Sequence, residues 1–491
     1  MALALAAAPI LALLLLIVGL RWSAAKAGAA AAALALLVAI GQFGLGDGNP
    51  LFVVAGAVAE AAFQAATILW IIFAALAIHE YQVRSGAIDT FRSRLEGVAD
   101  RRVAILLIAW FFALFLEGAA GFGTPVALAA PLLVGLGVPP VRALTAVLIG
   151  HAVGVSFGAV GTPIVPLATG AADEGRMVLG IAFVHALLGW SLALAAVRVA
   201  ATAGRGDSRY GLYAAACFLL PFVLIAWLVG PELPTLGGAA AGGAAFLAFA
   251  SRRSPASTSG QGSLASAAAP YGLAILLILV TRLVPGVREL LNGLAWTWRL
   301  EGGFGGTIAP FYHPGSLLLL SLSAAAMMKP GGARLLRPAL TAAAARLPPV
   351  AIALVAVLLL ARLMVHAGMV ELLARSAAAW LGSGWPALAP LVGALGSFIT
   401  GSATASNILF GSLQQVAAAQ SGTSPLIATV GQGVGAAIGN MIAPHNIVAG
   451  AATVGLVGAE GAVLRRTLPI CFIYVAAAGA LLWLLSVLEW R

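Results

Sequence analysis

The sequence predicts an all-α polytopic membrane protein of about 12 transmembrane helices plus two re-entrant hairpins, arranged as two inverted-topology repeats. Three observations lead there: an apolar chain punctuated by short basic clusters, two long apolar runs broken at their middles, and an internal repeat spaced near 281 residues.

Composition sets the class. Of 491 residues, 62% are apolar and 9% charged, with a mean hydropathy of +1.05. Soluble domains carry about 25% charged residues, so soluble and disordered chains are excluded. A bilayer core about 30 Å thick takes about 20 apolar residues per helix, and the chain has room for a dozen. A net charge of +10 would suit a nucleic-acid binder. Here the cations sit between apolar runs, as loop charges do in membrane proteins, and no nucleic-acid partner is expected. Cys217 and Cys471 lie inside apolar runs, which gives neither a disulfide framework nor a thiolate metal site. The first run follows no basic segment and reads as a retained span.

Apolar runs fall near 2–20, 28–45, 51–78, 143–170, 177–200, 211–230, 235–250, 270–285, 314–328, 347–366, 425–458 and 467–488. Runs 102–138 and 385–420 are interrupted by Gly, Ser, Thr and Pro and are expected to be hairpins. With the N-terminus outside, the basic clusters all fall on the cytoplasmic side, including Arg84 to Arg102, Arg142, Arg198 to Arg209 and Lys329 to Arg346. Counting the hairpins as full spans breaks this alternation at Arg142. Segment 85–102 spaces Ala87, Ile88, Phe91, Leu95 and Val98 as a surface amphipathic helix does. Segment 251–266 is small and polar and reads as a linker.

The repeat is direct to read. GHAVGVSFGAVGTP (150–163) aligns without gaps to GQGVGAAIGNMIAP (431–444), sharing three glycines, a valine and a proline. GFGT (121–124) faces GSAT (401–404), and GAID (86–89) faces GMVE (368–371). Segment 84–102 carries five arginines, and its counterpart 367–384 only Arg375, which sets the halves in opposite senses. The expected organisation is a two-helix extension 1–50, a first repeat 51–200, connecting helices 201–346 and a second repeat 347–491.

Each half offers two interruptions: 118–125 and 158–166, then 400–407 and 439–446. Irregular backbone at membrane depth survives only where protein or a water-filled cavity receives its polar groups. Half-helices there aim free N–H groups and positive dipole ends at the centre, which suits a carboxylate. Inverted repeats with such breaks are a recurring design of secondary transporters. The candidate substrate-binding residues are Gly121, Thr124, Thr162, Gly401, Ser402, Thr404, Ser406, Asn407, Asn440 and Asn446. A single hydroxyl more often back-bonds to its own helix, but the TGSATASN cluster beside a glycine break favours a site.

At these segments a resemblance becomes specific. LEGAAGFGTPVALAAPLLVGLG (116–137), SFGAVGTPI (156–164), TGSATASNILFGSLQ (400–414) and GNMIAPHNI (439–447) resemble the signature segments of the lactate permease family. The resemblance spans most of the chain from about residue 50. It implies uptake of L-lactate, D-lactate or glycolate coupled to H⁺ in a bacterial inner membrane. The family pattern often has an Asp where Ala403 stands and a Lys where Asn440 stands, so this chain loses an acid and a base together.

Buried ionisable groups are expensive and ask for a reason. Glu117 precedes the first hairpin tip and is the first candidate proton carrier. His151 and His445 are further candidates, since imidazole titrates near neutrality. Glu60 with Gln64, and Arg362 with His366, read as packing or snorkelling groups, although Arg362 could fork a carboxylate. The sequence holds no Lys-bearing phosphate loop, metal-spaced Cys/His set or nucleophile elbow. No cofactor and no catalytic or metal-ligating residue is expected. Energy is expected from an ion gradient, H⁺ or alternatively Na⁺ driving another small organic acid. An intramembrane enzyme on a lipid-linked substrate would want longer acidic loops; 286–313, with Glu289 and Glu301, is the one candidate.

Overall fold

The computed structural model describes the chain except residues 21, 45–48, 97–99, 122, 170–172, 201–206, 252–262, 302–303, 457–458 and 489–491. Most of the expected linker 251–266, Val98, Arg205 and parts of loops 42–50 and 171–176 lie outside the described residues.

The chain is helical, as the apolar runs require. Helices α1 (Ala2–Leu14) and α2 (Ala24–Val38) precede α3 (Pro50–Arg84). The surface helix α4 (Ala87–Glu96) leads into α5 (Arg101–Leu106) and α6 (Ala113–Ala119), joined by a π-helical stretch. The chain turns at 120–123 into α7 (Thr124–Gly135). Next come α8 (Pro140–Ala152), the short turns α9 (Gly158–Gly161) and α10 (Val165–Ala168), and α11 (Glu174–Leu188) bent by 47° into α12 (Trp190–Ala200). Connecting helices are α13 (Asp207–Leu228), α14 (Pro234–Ser251), α15 (Leu264–Leu283) and α16 (Pro285–Gly293). An antiparallel hairpin, β1 (Trp296–Arg299) and β2 (Gly305–Ile308), precedes α17 (Pro314–Met328) and α18 (Gly332–His366). The chain ends with α19 (Met369–Leu381), α20 (Trp385–Thr400), α21 (Ala403–Gln420), α22 (Pro425–Gly439), α23 (Pro444–Thr453) and α24 (Glu460–Val487).

Among the described residues nine helices are long and apolar enough to cross a bilayer, ten with the bent pair α11–α12. One of the nine, Arg101–Ala119, runs antiparallel to α7 as one arm of a helical hairpin. Its start meets the end of α7, where Arg101 Nη2 donates to Gly137 O at 3.1 Å. The arms α20 and α21 run antiparallel in the same way: Ser406 Oγ donates to Gly393 O at 2.8 Å and Gln414 Nε2 to Ala389 O at 3.1 Å.

Cations from the clusters around Arg102, Arg142, Lys329 and Arg346 lie on one face. Lys329 Nζ donates to Ser85 O at 3.0 Å, Arg346 pairs with Glu80 at 2.8 Å, and Arg142 Nε donates to Val199 O at 2.8 Å. Arg102 lies 4.8 Å over the Tyr210 ring. Its guanidinium also bonds Asp100, the cap of α5, and holds that carboxyl below its ordinary range. The opposite face carries the β-hairpin, where Phe304 packs on His366 at 4.7 Å. The loop 286–313 is therefore a short helix and a hairpin seated on α3, not an open loop.

Helices α3 and α18 are the longest and cross as an antiparallel pair. Glu80 meets Arg346 at 2.8 Å at one end, and Gln64 accepts from Arg362 Nη2 at 3.0 Å at the other. The run expected at 347–366 is the second half of α18, which starts at Gly332, so the expected boundary at 346 falls inside a continuous helix. The shared glycines have a packing reason. A Cβ on Gly150 would strike the Ala109 carbonyl, and a Cβ on Gly431 the Ala389 side chain. In each half, one glycine lets the helix before the second break press against the first hairpin arm.

Candidate functional site

Four backbone breaks converge on one small cavity. Tip 120–123 contributes Gly121 and Gly123, and the tip between α20 and α21 contributes Gly401 and Ser402. The break after α8 contributes Gly158, Ala159, Thr162 and Pro163, and the break after α22 contributes Asn440 and Asn446. Glu117, Val155, Ala403 and Thr404 complete the lining. The cavity measures about 40 Å³, room for a water or two rather than an organic acid.

Local sequence explains each break. Gly121, Gly123 and Gly401 take positive φ of 58°, 81° and 72°, which reverses the chain where a side chain would strain it. Ala159 (φ 43°) and Val160 (φ 54°) adopt the same left-handed conformation without being glycine. For a β-branched residue that is a strained state, of the kind that persists where surrounding structure enforces it and clusters at functional sites. Prolines 125, 163 and 444 each stand in the first turn of the segment that restarts the helix, where a missing N–H costs nothing. The first turns of α7, α21 and α23 start beside the cavity, where a helix start leaves N–H groups without intrahelical partners.

The polar groups fall into two sets. In the first, Asn446 Nδ2 donates to Asn440 Oδ1 at 2.8 Å and to Asn440 O at 3.1 Å. His151 Nδ1 donates to Val147 O at 2.7 Å, and its side chain interacts with that of Asn440. Glu117 Oε2 stands 4.0 Å from His151 Nε2. Glu117 is the one carboxylate among the described lining residues; it is 6% exposed and takes no hydrogen bond from any described residue. A Cβ on Gly158 would fall on Glu117 Oε1, so this glycine makes room for the carboxyl. Thr404 is buried, and its hydroxyl makes no hydrogen bond with a described residue.

In the second set the side chains are spent on the protein itself. Ser406 Oγ donates to Gly393 O, and Asn407 Nδ2 to Pro163 O at 2.9 Å. Gln432 Nε2 reaches Ser406 Oγ at 3.1 Å and Asn407 Oδ1 at 3.2 Å, and Gln432 Oε1 accepts from Gln414 at 3.0 Å. Ser402 Oγ caps α21 through the Ala405 N–H at 3.3 Å. Thr124 Oγ1 and Thr162 Oγ1 back-bond to Gly121 O and Ala159 O.

Of the thirteen residues expected at the site, eight line the cavity: Glu117, Gly121, Thr162, Gly401, Ser402, Thr404, Asn440 and Asn446. His151 sits directly behind them. Thr124, Ser406, Asn407 and His445 do not line it; the His445 side chain is exposed and packs against Gly401 at the tip. Sequence reading missed Gln432, although it occupies the repeat position of His151. It also missed Gln414 and the buried chain Tyr474–His185–Ser156, with contacts of 2.8 and 2.9 Å, which no local motif announces.

Comparisons with known proteins agree with this architecture. Residues 2–488 match the L-lactate permease family. The chain is 30% identical to the L-lactate permease of Escherichia coli K12, over 86% of this chain and 85% of that protein. It is 30% identical to the L-lactate permease of Streptococcus iniae, over 72% and 77%, and 28% identical to the glycolate permease GlcA of E. coli K12, over 84% and 83%. Among solved structures it is similar to the YdaH transporter of Alcanivorax borkumensis, described as having an unusual topology, with a TM-score of 0.51, 15% identity and 91% and 90% coverage. MtrF of Neisseria gonorrhoeae gives the same TM-score and identity over 95% of both chains. These two share the fold. The relatives are permeases rather than enzymes, and the chain is a multi-pass protein of the bacterial inner membrane. It belongs to the L-lactate permease family.

Proposed function

We infer that this protein is a secondary transporter that imports a small monocarboxylate, L-lactate and by extension D-lactate or glycolate, together with H⁺. The convergence of all four breaks on one cavity holding a single buried carboxyl carries the reading. Half-helix N–H groups and the Thr404 hydroxyl offer donors to a carboxylate. Glu117 offers a group that can take up and release a proton. An anion entering with a proton leaves the net charge of the buried site unchanged, which avoids the cost of burying an unpaired charge. Ser402, Gly121, Gly401, Asn440 and Asn446 would shape the site, and His151 would orient through Asn440.

Purified full-length protein in proteoliposomes tests this, with H⁺ and Na⁺ gradients imposed separately. L-Lactate accumulation driven by a pH gradient, and by a Na⁺ gradient not at all, is the expected outcome. Accumulation driven by Na⁺ alone would replace the proton reading.

A further inference from the structure

We propose that a second carboxylate-binding station, built around Arg362, receives the monocarboxylate before it reaches the inner cavity. It rests on the monocarboxylate reading above. A cavity of about 390 Å³ lies between α3, the β-hairpin and the break at 158–166. That volume admits a small organic acid, which the 40 Å³ inner cavity does not.

The two cavities share a wall. Ala159, Thr162 and Pro163 face the inner one, and Val160, Gly161, Ile164 and Val165 the outer one. The left-handed residues Ala159 and Val160 belong to that wall. A ligand at the outer station therefore lies one backbone thickness from the inner site. The outer cavity is on the face that carries the β-hairpin, opposite the basic clusters, hence the outer face by the distribution of Lys and Arg.

Two guanidiniums line it, and they differ. Arg282 gives Nε and Nη2 to Glu232 at 3.0 and 2.7 Å, gives Nη2 also to Tyr312 O, and stacks on the Tyr312 ring at 3.4 Å. Its charge and donors are consumed. Arg362 donates once, to Gln64 at 3.0 Å, and stands 3.8 Å from Glu60, too far for a hydrogen bond. Among the described residues its remaining N–H donors are unspent, in the planar fork that suits a carboxylate. Glu60, held by His366 Nε2 at 3.2 Å and the Gly305 N–H at 3.1 Å, pairs with Arg362 as an ion at 3.8 Å, which offsets part of the charge but takes none of the N–H donors. Glu232 is neutralised by Arg282, and Glu174 stands exposed at the rim.

The test uses the whole protein in proteoliposomes. Arg362→Gln is expected to raise the KM for external L-lactate about tenfold or more, the loss of a charge-assisted bond, with a maximal rate within about twofold of the parent. Arg362→Lys, which keeps the charge and loses the fork, is expected to fall between them. A second readout needs no transport. Thr307→Cys places a thiol on the hairpin wall of the outer cavity, for labelling with an impermeant maleimide. L-Lactate or acetate is expected to slow labelling relative to chloride. Adding Arg362→Gln should remove that protection, and adding Thr404→Val at the inner site should leave it. An unchanged KM in Arg362→Gln, or labelling indifferent to either acid, overturns the station. If Arg362→Gln does not fold, protection of Thr307→Cys alone decides. Protection without transport of any monocarboxylate by the parent would keep the station and overturn the functional reading.

Discussion

Thr404 and Ser406 stand two residues apart on α21 and do opposite work. The Thr404 hydroxyl opens on the inner cavity without a described partner, whereas Ser406 is tied to Gly393 and Gln432. Thr404→Val should therefore raise the KM for lactate about tenfold or more, the loss of a hydrogen bond to a charged ligand, while the melting temperature in detergent stays at or above the parent's. Ser406→Ala should do the reverse, costing about 1 kcal/mol of stability by removing the hydroxyl's bonds to Gly393 O and Gln432 Nε2, the latter keeping Asn407 Oδ1. Equal stability losses in both variants would mean that Thr404 is structural. Ala403 and Asn440, where the resemblance implies an Asp and a Lys, line the same cavity. Ala403→Asp alone puts an unpaired acid there and should abolish uptake; adding Asn440→Lys should recover part of it, because a buried charge is tolerated when paired. A double variant no better than Ala403→Asp would show that the two sites are not coupled.

At the scale of elements, the chain's breaks were legible because their causes are local. Gly121, Gly123, Gly401 and the prolines at 125, 163 and 444 dictate turns and helix restarts wherever they occur. The interruption at Ala159–Val160 was legible from the flanking Gly158 and Gly161, but its strained conformation was not, since neither residue favours positive φ. Partners far apart in sequence were also hidden: Arg282 with Glu232, Glu60 with Gly305, and Gln414 with Gln432 depend on which helices meet. Helix pairing tests the inverted arrangement. Positions 64 and 80 on α3 meet 362 and 346 on α18, so each end of one helix meets the opposite end of the other, as a two-fold relation between the halves requires. Single cysteines at Pro139 and Gln420, at the ends of the matched hairpins, should then label from opposite sides of the membrane with an impermeant reagent. Both labelling from one side would defeat the inverted relation.

At the scale of the whole molecule, the two halves aligned in sequence carry different chemistry. Where the first half has Glu117 and His151, the second has Ser397 and Gln432 at the repeat positions. Ser397 Oγ donates to Ala436 O at 2.6 Å, and Gln432 is bonded on both its amide atoms, so the second half's pair is closed on itself. Glu117 faces His151 at 4.0 Å with no described donor on its oxygens and borders the cavity. On the proposed reading, the first half exchanges a proton while the second supplies a fixed wall and the Thr404 hydroxyl. Glu117→Gln keeps the shape and removes the exchange. It should abolish uphill lactate accumulation driven by a pH gradient, and it should leave exchange of labelled for unlabelled lactate measurable, because exchange never requires the carrier to return empty and deprotonated. His151→Gln should weaken uptake less than Glu117→Gln, since its Nδ1 is committed to Val147 O and its role passes through Asn440. Uphill accumulation by Glu117→Gln with an unchanged pH profile would move the proton carrier away from this carboxyl, and His151 would become the group to test.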